Sequence, residues 1–183
     1  MEVWLLRHAE TEWSRDGRHT GRSDVPLTEA GREHARALRE RVAGHAFALV
    51  LSSPLSRARE TAELAGLEPE LRDDLVEFDY GDYEGITTAQ IREERPDWYL
   101  WRDGSPNGET AGDVGRRVDR VIEEALRAAG DVALVAHGHV LRALAARWLE
   151  QPASFGGRLR LDTGTISVLG FEREVRVMRR WND

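Results

Sequence analysis

The sequence of 183 residues contains no cysteine and no lysine, and it has no apolar run that approaches the length of a membrane span. The absence of cysteine excludes disulfide bonds, thiolate ligands to zinc or iron–sulfur clusters, and cysteine nucleophiles. A membrane-spanning helix needs about 20 predominantly apolar residues, so membrane insertion is excluded. Because lysine is absent, all 26 basic side chains are arginines. Covalent catalysis would have to use a side chain other than cysteine.

The chain is acidic, with 33 Asp and Glu residues and a formal net charge of −7. This charge argues against a protein that binds nucleic acid or an anionic membrane through a basic face. It does not exclude a small anionic ligand, because a few arginines that converge in one pocket can reverse the local potential. The N-terminus lacks the basic and long apolar regions of a secretory signal, so we expect a cytoplasmic protein.

Short apolar runs alternate with amphipathic helical patterns along the chain. Strands are predicted at 2–6, 47–52 and 132–136, helices at about 28–44, 54–66, 87–95, 110–130 and 139–150, and a C-terminal hairpin at 165–171 and 175–180. This alternation predicts a single domain over residues 1–183, an α/β fold with a three-layer α/β/α sandwich, a mainly parallel central sheet and the hairpin at the sheet edge.

Residues 71–85 show no lasting periodicity and are interpreted as a functional loop with a short strand. We expect a small lid at about 77–110, in which Trp98, Tyr99 and Trp101 either wall a pocket or pack in the core of the lid. Trp148 and Trp181 are candidate exposed tryptophans at an interface, so the oligomeric state is left open and a homodimer is possible.

Polar side chains follow each of the three predicted parallel strands. Arg7 and His8 follow the first strand, Arg57 lies one turn into the helix after the second, and His137 and Gly138 follow the third. In open α/β sheets, ligands bind beyond the carboxyl ends of the strands. Two imidazoles and two guanidinium groups are therefore predicted to gather at one edge of the sheet.

This combination indicates phosphoryl transfer. The planar fork of arginine matches the oxygens of a phosphoryl group, and a neutral imidazole is a competent nucleophile. A leaving alkoxide also needs a proton, for which Glu77 in the irregular loop is the preferred general acid. Three nearby carboxylates compete for this role: Asp79, Asp82 and Glu84.

The same residues carry a resemblance to a known family. Leu6 to Trp13 (LRHAETEW) is similar to the "RHG-E-T" motif of the histidine phosphatase superfamily, which includes cofactor-dependent phosphoglycerate mutases and related phosphatases. Five further blocks follow in the family's order: TG with PLT at 20–28, SSPLSRA at 52–58, LVE with GDYEG at 75–85, GET at 108–110, and VAHG at 135–138. The sequence departs from the family pattern at Ala9, where glycine is usual, at Ser14, where many members have asparagine, and at Tyr83, where tryptophan is usual.

The resemblance implies a phosphoglycerate mutase-like fold and a role for each matching residue. His8 would be the nucleophile, Arg7, Arg57 and His137 would form the phosphate pocket, and Glu77 would donate the proton. Substrate contacts are expected from the same pocket and its neighbours: Arg7, Ser14, Thr20, Gly21, Arg57, Glu77, His137 and Gly138. No cofactor and no metal is expected.

The resemblance favours a phosphatase over a mutase, because mutases of the family typically carry a longer insertion that keeps water from the phosphohistidine. We therefore expect a metal-independent phosphomonoesterase that acts on a small phosphorylated metabolite, with a resemblance to sugar-phosphate phosphatases of the sedoheptulose-bisphosphatase type. Three alternatives remain open: a phosphoglycerate mutase, an inactive module that binds a phosphorylated ligand, and a metalloenzyme that uses His137 and His139.

Overall fold

The computed structural model describes residues 1–183 and contains one six-stranded sheet. The strands are β1 (Val3–Arg7), β2 (Phe47–Ser52), β3 (Glu70–Leu71), β4 (Asp131–Ala136), β5 (Ile166–Glu172) and β6 (Val175–Arg180). Their order in the sheet is β3-β2-β4-β1-β5-β6. The first four strands pair in parallel, whereas β5 runs antiparallel to β1, and β6 to β5. The predicted mainly parallel sheet with a hairpin at its edge is confirmed.

Seven α-helices connect and follow the strands. They are α1 (Glu12–Arg15), α2 (Glu29–Val42), α3 (Ser56–Leu64), α4 (Thr88–Glu94), α5 (Leu100–Asp103), α6 (Ala111–Arg127) and α7 (Gly138–Trp148). The N-cap residues of α2 and α6, Thr28 and Thr110, each accept a hydrogen bond from a backbone N–H in the first helical turn. Such a cap satisfies one of the donors that a helix start leaves free, which is why these helices begin where the sequence indicates.

The two faces of the sheet pack against different helices. In β1, Val3 and Leu5 belong to the larger core cluster, together with apolar residues of α6 and α7. Leu6 points to the opposite face and joins a second cluster with Leu38 of α2 and Ala62 of α3. Successive strand residues point to opposite faces, so the apolar run of β1 contributes to both clusters. The result is the predicted three-layer sandwich.

The sequence did not predict the two shortest helices. The loop expected after β1 contains the four-residue α1, and the aromatic segment after Pro96 contains the four-residue α5. Four residues form little more than one turn, which is too short for an apolar periodicity to show in the sequence. The irregular segment 71–85 is as expected, with the end of β3 and two 3-10 turns at Asp73–Leu75 and Gly81–Tyr83.

The expectation that Trp148 is exposed at an interface is wrong. Its side chain is fully buried, its Nε1 donates a hydrogen bond to the Gly170 carbonyl at 3.2 Å, and its ring packs against Phe171. Trp148 ends α7 on the side that faces the sheet, where the large indole fills the core and keeps its one polar atom paired. In addition, none of the helices is long and apolar enough to cross a membrane.

Candidate active site

The ends of two neighbouring parallel strands bring His8 and His137 together. Arg7 at the end of β1 is in register with Ala136 at the end of β4, so the residues that follow the two strands lie side by side. The His8 backbone N–H donates to the Ala136 carbonyl at 2.9 Å, and the two imidazole centroids are 5.1 Å apart. Both side chains are buried. The two histidines, 129 positions apart along the chain as their numbers show, therefore form one site as predicted.

Arg57, in the first turn of α3, is completely buried next to His137. Its Nε donates to His137 Nδ1 at 3.1 Å, and its two terminal nitrogens donate to backbone carbonyls. The accepting carbonyls are those of Thr20, Gly21 and Ser23, at 2.9 to 3.0 Å. None of these partners is anionic, so the positive charge of Arg57 beside the two histidines is uncompensated by any salt bridge.

The hydrogen bonds of His8 determine its tautomer. His8 Nδ1 lies 2.7 Å from the carbonyl oxygen of Ala9. A carbonyl oxygen only accepts, so Nδ1 carries the proton and Nε2 carries the free lone pair. Burial lowers the pKa of His8 well below its ordinary value, and the neighbouring charges of Arg7 and Arg57 lower the pKa further. The imidazole is consequently neutral and nucleophilic at Nε2.

Arg7 supplies a second uncompensated cation. Its Nη1 donates to the Leu161 carbonyl, whereas its Nε is buried without a partner. Burial lowers the pKa of Arg7 because a buried guanidinium loses its hydration. Gly138 packs directly on this group: a Cβ at Gly138 would lie 3.1 Å from Arg7 Cζ. A larger residue would push the guanidinium out of place, which explains the glycine after His137.

The Glu77 carboxylate is held against the N-terminus of α7. Its Oε1 accepts hydrogen bonds from the backbone N–H groups of Phe78 and Val140, both at 2.8 Å. Its Oε2 accepts one bond, from the N–H of His139 at 2.9 Å. These three bonds fix the carboxyl group and leave Oε2 with one acceptor position free.

Glu77 is the single carboxylate that lines the cavity next to His8. The three competing carboxylates are used elsewhere. Asp79 pairs with Arg22 at 2.6 Å, Asp82 accepts from Asn107, and Glu84 accepts from the backbone of Gly21 and Ser23. The geometry therefore separates Glu77 from its competitors, which the sequence alone could not do.

The cavity has a volume of about 380 Å³ and opens above His8. Of the predicted site residues it is lined by Arg7, His8, Ser14, Thr20, Glu77 and Gly138. Arg57 and His137 do not line it but lie buried next to His8. Trp98, Tyr99 and Trp101 all line the cavity, the first of their predicted alternatives, and Trp98 and Trp101 also belong to the larger core cluster.

Ser14, Thr20 and Gly21 have structural partners within the loop after β1. The Ser14 side chain forms a capping box with Thr11 at the start of α1. Thr20 Oγ1 donates to the Arg18 carbonyl at 3.2 Å. Gly21 is buried away from the cavity, where a Cβ would lie 2.6 Å from the Phe78 carbonyl oxygen. Of the three, only Ser14 and Thr20 border the space in which a ligand would bind.

Further residues line the cavity beyond the predicted set. His139 lines it next to Glu77, and the His19 ring stacks on Tyr80 with ring centroids 4.7 Å apart. The cavity is also lined by three arginines that the sequence did not single out: Arg18, Arg92 and Arg142. The repeated spacing His137-x-His139 was the signal that could have drawn attention to His139.

No group of three or more His, Asp or Glu side chains lies close enough together to hold a metal ion. His137 and His139 instead bond to separate neighbours. His137 Nε2 lies 2.7 Å from Ser53 Oγ, and His139 Nδ1 lies 2.5 Å from the Tyr80 hydroxyl.

Comparison with known proteins agrees with this geometry. The family model of the histidine phosphatase superfamily, branch 1, matches residues 3–183. An acid phosphatase from Mycobacterium tuberculosis is 44% identical over 182 residues, covering 94% of this chain and 87% of that protein. The sedoheptulose 1,7-bisphosphatase of Saccharomyces cerevisiae is 36% identical, covering 79% of this chain and 66% of that protein.

A solved structure of an open-reading-frame product from Mycobacterium tuberculosis superimposes on this fold with a TM-score of 0.95 and 41% identity. The superposition covers 99% of this chain and 96% of that chain. The resemblance stated from the motifs is thus confirmed over almost the entire sequence. The chain belongs to branch 1 of the histidine phosphatase superfamily.

Proposed function

We propose that this protein is a phosphomonoesterase that hydrolyses a small phosphorylated metabolite through a phosphohistidine at His8. The observation that carries the proposal is the fixed, neutral state of His8. Its Nδ1 proton is bound by the Ala9 carbonyl, and Nε2 has a free lone pair between two uncompensated arginines. A neutral imidazole nucleophile within a positive field suits attack on a dianionic phosphate ester.

In the first step, His8 Nε2 attacks phosphorus, the Nε2–P bond forms, and the ester P–O bond breaks. The leaving oxygen takes a proton from the carboxyl group of Glu77, for which Oε2 has the free position. Arg7 and Arg57 stabilise the charge on the equatorial oxygens as the phosphoryl group passes from donor to acceptor. His137, hydrogen-bonded to Arg57 Nε, is a positioning residue for this guanidinium.

In the second step, a water molecule attacks the phosphorus of the phosphohistidine. The Glu77 carboxylate, left ionised by the first step, accepts a proton from the water as the new P–O bond forms and the Nε2–P bond breaks. Inorganic phosphate leaves, and both His8 and Glu77 return to their starting protonation states. One carboxyl group thus serves as acid and then as base.

The cavity supports an anionic, sugar-sized substrate. Four arginines line it, and none of them has a carboxylate partner within 4.0 Å, whereas Glu77 is its single carboxylate. The aromatic wall of Trp98, Tyr99 and Trp101 comes from the segment at 77–110, which we propose acts as a small lid that selects the leaving group. The relative named sedoheptulose 1,7-bisphosphatase supports a phosphorylated sugar as the substrate class, and the relative named acid phosphatase supports the hydrolysis of a phosphate ester.

The test is release of inorganic phosphate from a panel of sugar phosphates, phosphoglycerates and nucleotides, with a chelator present. We expect His8→Ala to lose at least about 1,000-fold in kcat, because the nucleophile is removed. His34→Ala, at an exposed histidine on α2, is the matched control and should keep the wild-type rate. Phosphate release that survives in His8→Ala would refute the mechanism. Isomerisation of a phosphoglycerate without phosphate release would instead favour the mutase.

Glu77→Gln tests the proton donor. The amide oxygen can still accept the backbone bonds of Phe78 and Val140, but the side chain can no longer donate an acidic proton. General acid catalysis contributes about 100- to 10,000-fold, so we expect a loss of at least about 100-fold on an alkyl phosphate. On 4-nitrophenyl phosphate, whose leaving group hardly needs a proton, the first step should be slowed by less than about 10-fold. Equal losses of the first-step rate on both esters would exclude Glu77 as the donor.

A further inference from the structure

His139 occupies a position in the cavity that the proposed reaction does not use. Its backbone N–H holds Glu77 Oε2 at 2.9 Å, and its ring Nδ1 lies 4.0 Å from the same oxygen. Because both residues line the same cavity, a leaving group that is protonated by Glu77 would lie next to the His139 ring. The side chain is about one quarter exposed, at 23%, and it lines the cavity.

The hydrogen bond between Tyr80 and His139 determines which ring nitrogen of His139 carries the proton. The Tyr80 hydroxyl lies 2.5 Å from His139 Nδ1 and has no other hydrogen-bond partner. If Nδ1 were the donor, the buried hydroxyl proton of Tyr80 would be left without an acceptor, which is unfavourable for a buried polar group. Tyr80 is therefore the donor, Nδ1 accepts, and the proton of the neutral imidazole is on Nε2.

Both partners are held in this arrangement. The Tyr80 ring is buried and lies between Phe78 and His19, with ring centroids 5.7 and 4.7 Å away and interplanar angles of 15° and 23°. Burial raises the pKa of Tyr80 well above its ordinary value, so the phenol keeps its proton. Burial lowers the pKa of His139 well below its ordinary value, and the charge of Arg142 lowers it further, so the imidazole is neutral.

The Nε2–H group of His139 remains as a free hydrogen-bond donor. This atom has no hydrogen-bond partner in the protein, and it is absent from the buried polar atoms that lack one, so it is accessible from the cavity. A donor that is fixed in direction and faces open space beside Glu77 is suited to an acceptor oxygen of a ligand.

We propose that His139 is a specificity-determining residue, whose Nε2–H donates to a hydroxyl oxygen on the carbon next to the ester carbon of the leaving group. Tyr80 is a positioning residue that selects the required tautomer. This proposal rests on the proposed phosphatase function, and it adds the class of leaving group: a polyol or sugar, rather than an alcohol with an apolar chain.

The test compares two esters that differ at the adjacent carbon, glycerol 3-phosphate with its hydroxyl groups and n-propyl phosphate without them. Wild-type kcat/KM should be about 3- to 10-fold higher for glycerol 3-phosphate, the worth of about one hydrogen bond. In His139→Leu this ratio should fall to about 1, because the Nε2–H donor that distinguishes the two esters is lost. In His139→Gln, whose amide N–H can take the place of Nε2–H, the ratio should partly return. A ratio that is unchanged in His139→Leu would overturn the proposal.

Two further measurements test the role of His139 independently of whether the protein is a phosphatase. Ring nitrogen-15 NMR should show His139 protonated at Nε2 in the wild type and in Tyr83→Phe, a matched phenol whose hydroxyl accepts from Arg95 outside the cavity. It should show a mixture of tautomers in Tyr80→Phe. A wild-type His139 protonated at Nδ1 would refute the proposal.

Ligand binding to the His8→Ala variant tests the role of His139 without catalytic turnover. Glycerol 3-phosphate should bind more tightly than n-propyl phosphate and shift the His139 Nε2 resonance. Equal affinities with no shift would overturn the role of His139, whatever the enzyme hydrolyses. Conversely, a shift and a preference in His8→Ala, together with no phosphate release by the wild type, would support the role of His139 and contradict the proposed hydrolysis.

Discussion

The arginines on the helix surfaces and the arginines around the cavity have different partners. Arg147 on α7 pairs with Asp119 at 2.8 Å, and Arg120 on α6 pairs with Asp74. Arg142, one and a half turns before Arg147 on the same helix, has no carboxylate partner. Its Nε donates to the Gly156 carbonyl at 2.9 Å, and its guanidinium lies over the Trp101 ring.

The other arginines that line the cavity also lack a carboxylate partner. Arg7 donates to the Leu161 carbonyl and Arg92 to the Trp98 carbonyl, whereas Arg18 lies 5.9 Å from the Trp13 ring. Carbonyls and aromatic rings orient a guanidinium without neutralising it. In a chain of net charge −7, the cavity is therefore locally positive. The number of arginines says little about function, whereas the four that line the cavity share a position on its wall and the lack of a carboxylate partner.

The largest effect that this comparison predicts is at Arg57. Replacing Arg57 by Met removes four hydrogen bonds and leaves three buried backbone carbonyls without donors. We expect a loss of about 3 kcal/mol or more in the free energy of unfolding, measured by urea denaturation. Arg57→Lys, which keeps the charge but loses the planar fork, tests activity in a folded protein and should lower kcat/KM by about 100-fold. Wild-type kcat/KM in Arg57→Lys would contradict the assignment.

The second prediction compares a cavity histidine with a surface histidine in acid. Burial lowers the pKa of His19 to about 4, so the folded state binds this proton less readily than the unfolded state. The free energy of unfolding should therefore fall as the pH drops from about 6.5 to about 4, by up to about 1.4 kcal/mol per pH unit from this residue. Above pH 6.5 His19 is neutral in both states and adds no pH dependence.

Urea denaturation at pH 7, 5.5 and 4 checks this prediction. His19→Gln should flatten the acid loss of stability relative to the wild type, whereas His34→Gln, at an exposed position, should leave the profile as it is. Parallel profiles for the wild type and His19→Gln would show that His19 is not held neutral by the fold.

The third prediction uses the two arginines of α7 as a matched pair. Arg142→Gln should lower kcat/KM by about 10-fold without loss of stability, because a cation that faces the substrate and lacks a counter-ion is removed. Arg147→Gln should leave kcat/KM within about twofold and reduce the free energy of unfolding by less than about 1 kcal/mol, the usual worth of an exposed ion pair. Steady-state kinetics and urea denaturation of both variants measure the difference. Equal effects on kcat/KM would remove the distinction between the two groups of arginines.

The sequence predicted those features that depend on local patterns. The apolar runs of β1, β2 and β4 set the parallel sheet, and the side chains after those strands identified His8, Arg57 and His137. What the sequence missed depends on partners far along the chain. The unpaired state of Arg142 requires knowing that no carboxylate lies within reach, and the role of His139 depends on Tyr80, 59 positions away.

The burial of Trp148 also depends on residues far along the chain, which the sequence did not predict. We expected Trp148 to be exposed, and only the packing against β5 shows that the indole is buried. Short helices such as α1 and α5 were missed for a different reason, since four residues hold too little pattern. The sequence thus predicted the site residues that belong to a motif, but it did not predict packing between residues that are far apart along the chain.

The central claim, transfer of the phosphoryl group to Nε2 of His8, can be tested directly by trapping the intermediate. Glu77→Gln with 4-nitrophenyl phosphate should form the phosphoenzyme readily but hydrolyse it slowly, because the water then lacks its base. After quenching in base, where phosphohistidine is stable, peptide mass spectrometry and phosphorus NMR should find phosphate on His8 at Nε2, and none in the His8→Ala, Glu77→Gln double variant. Phosphate on Nδ1 or on another residue, or steady turnover with no bound phosphate, would contradict the account.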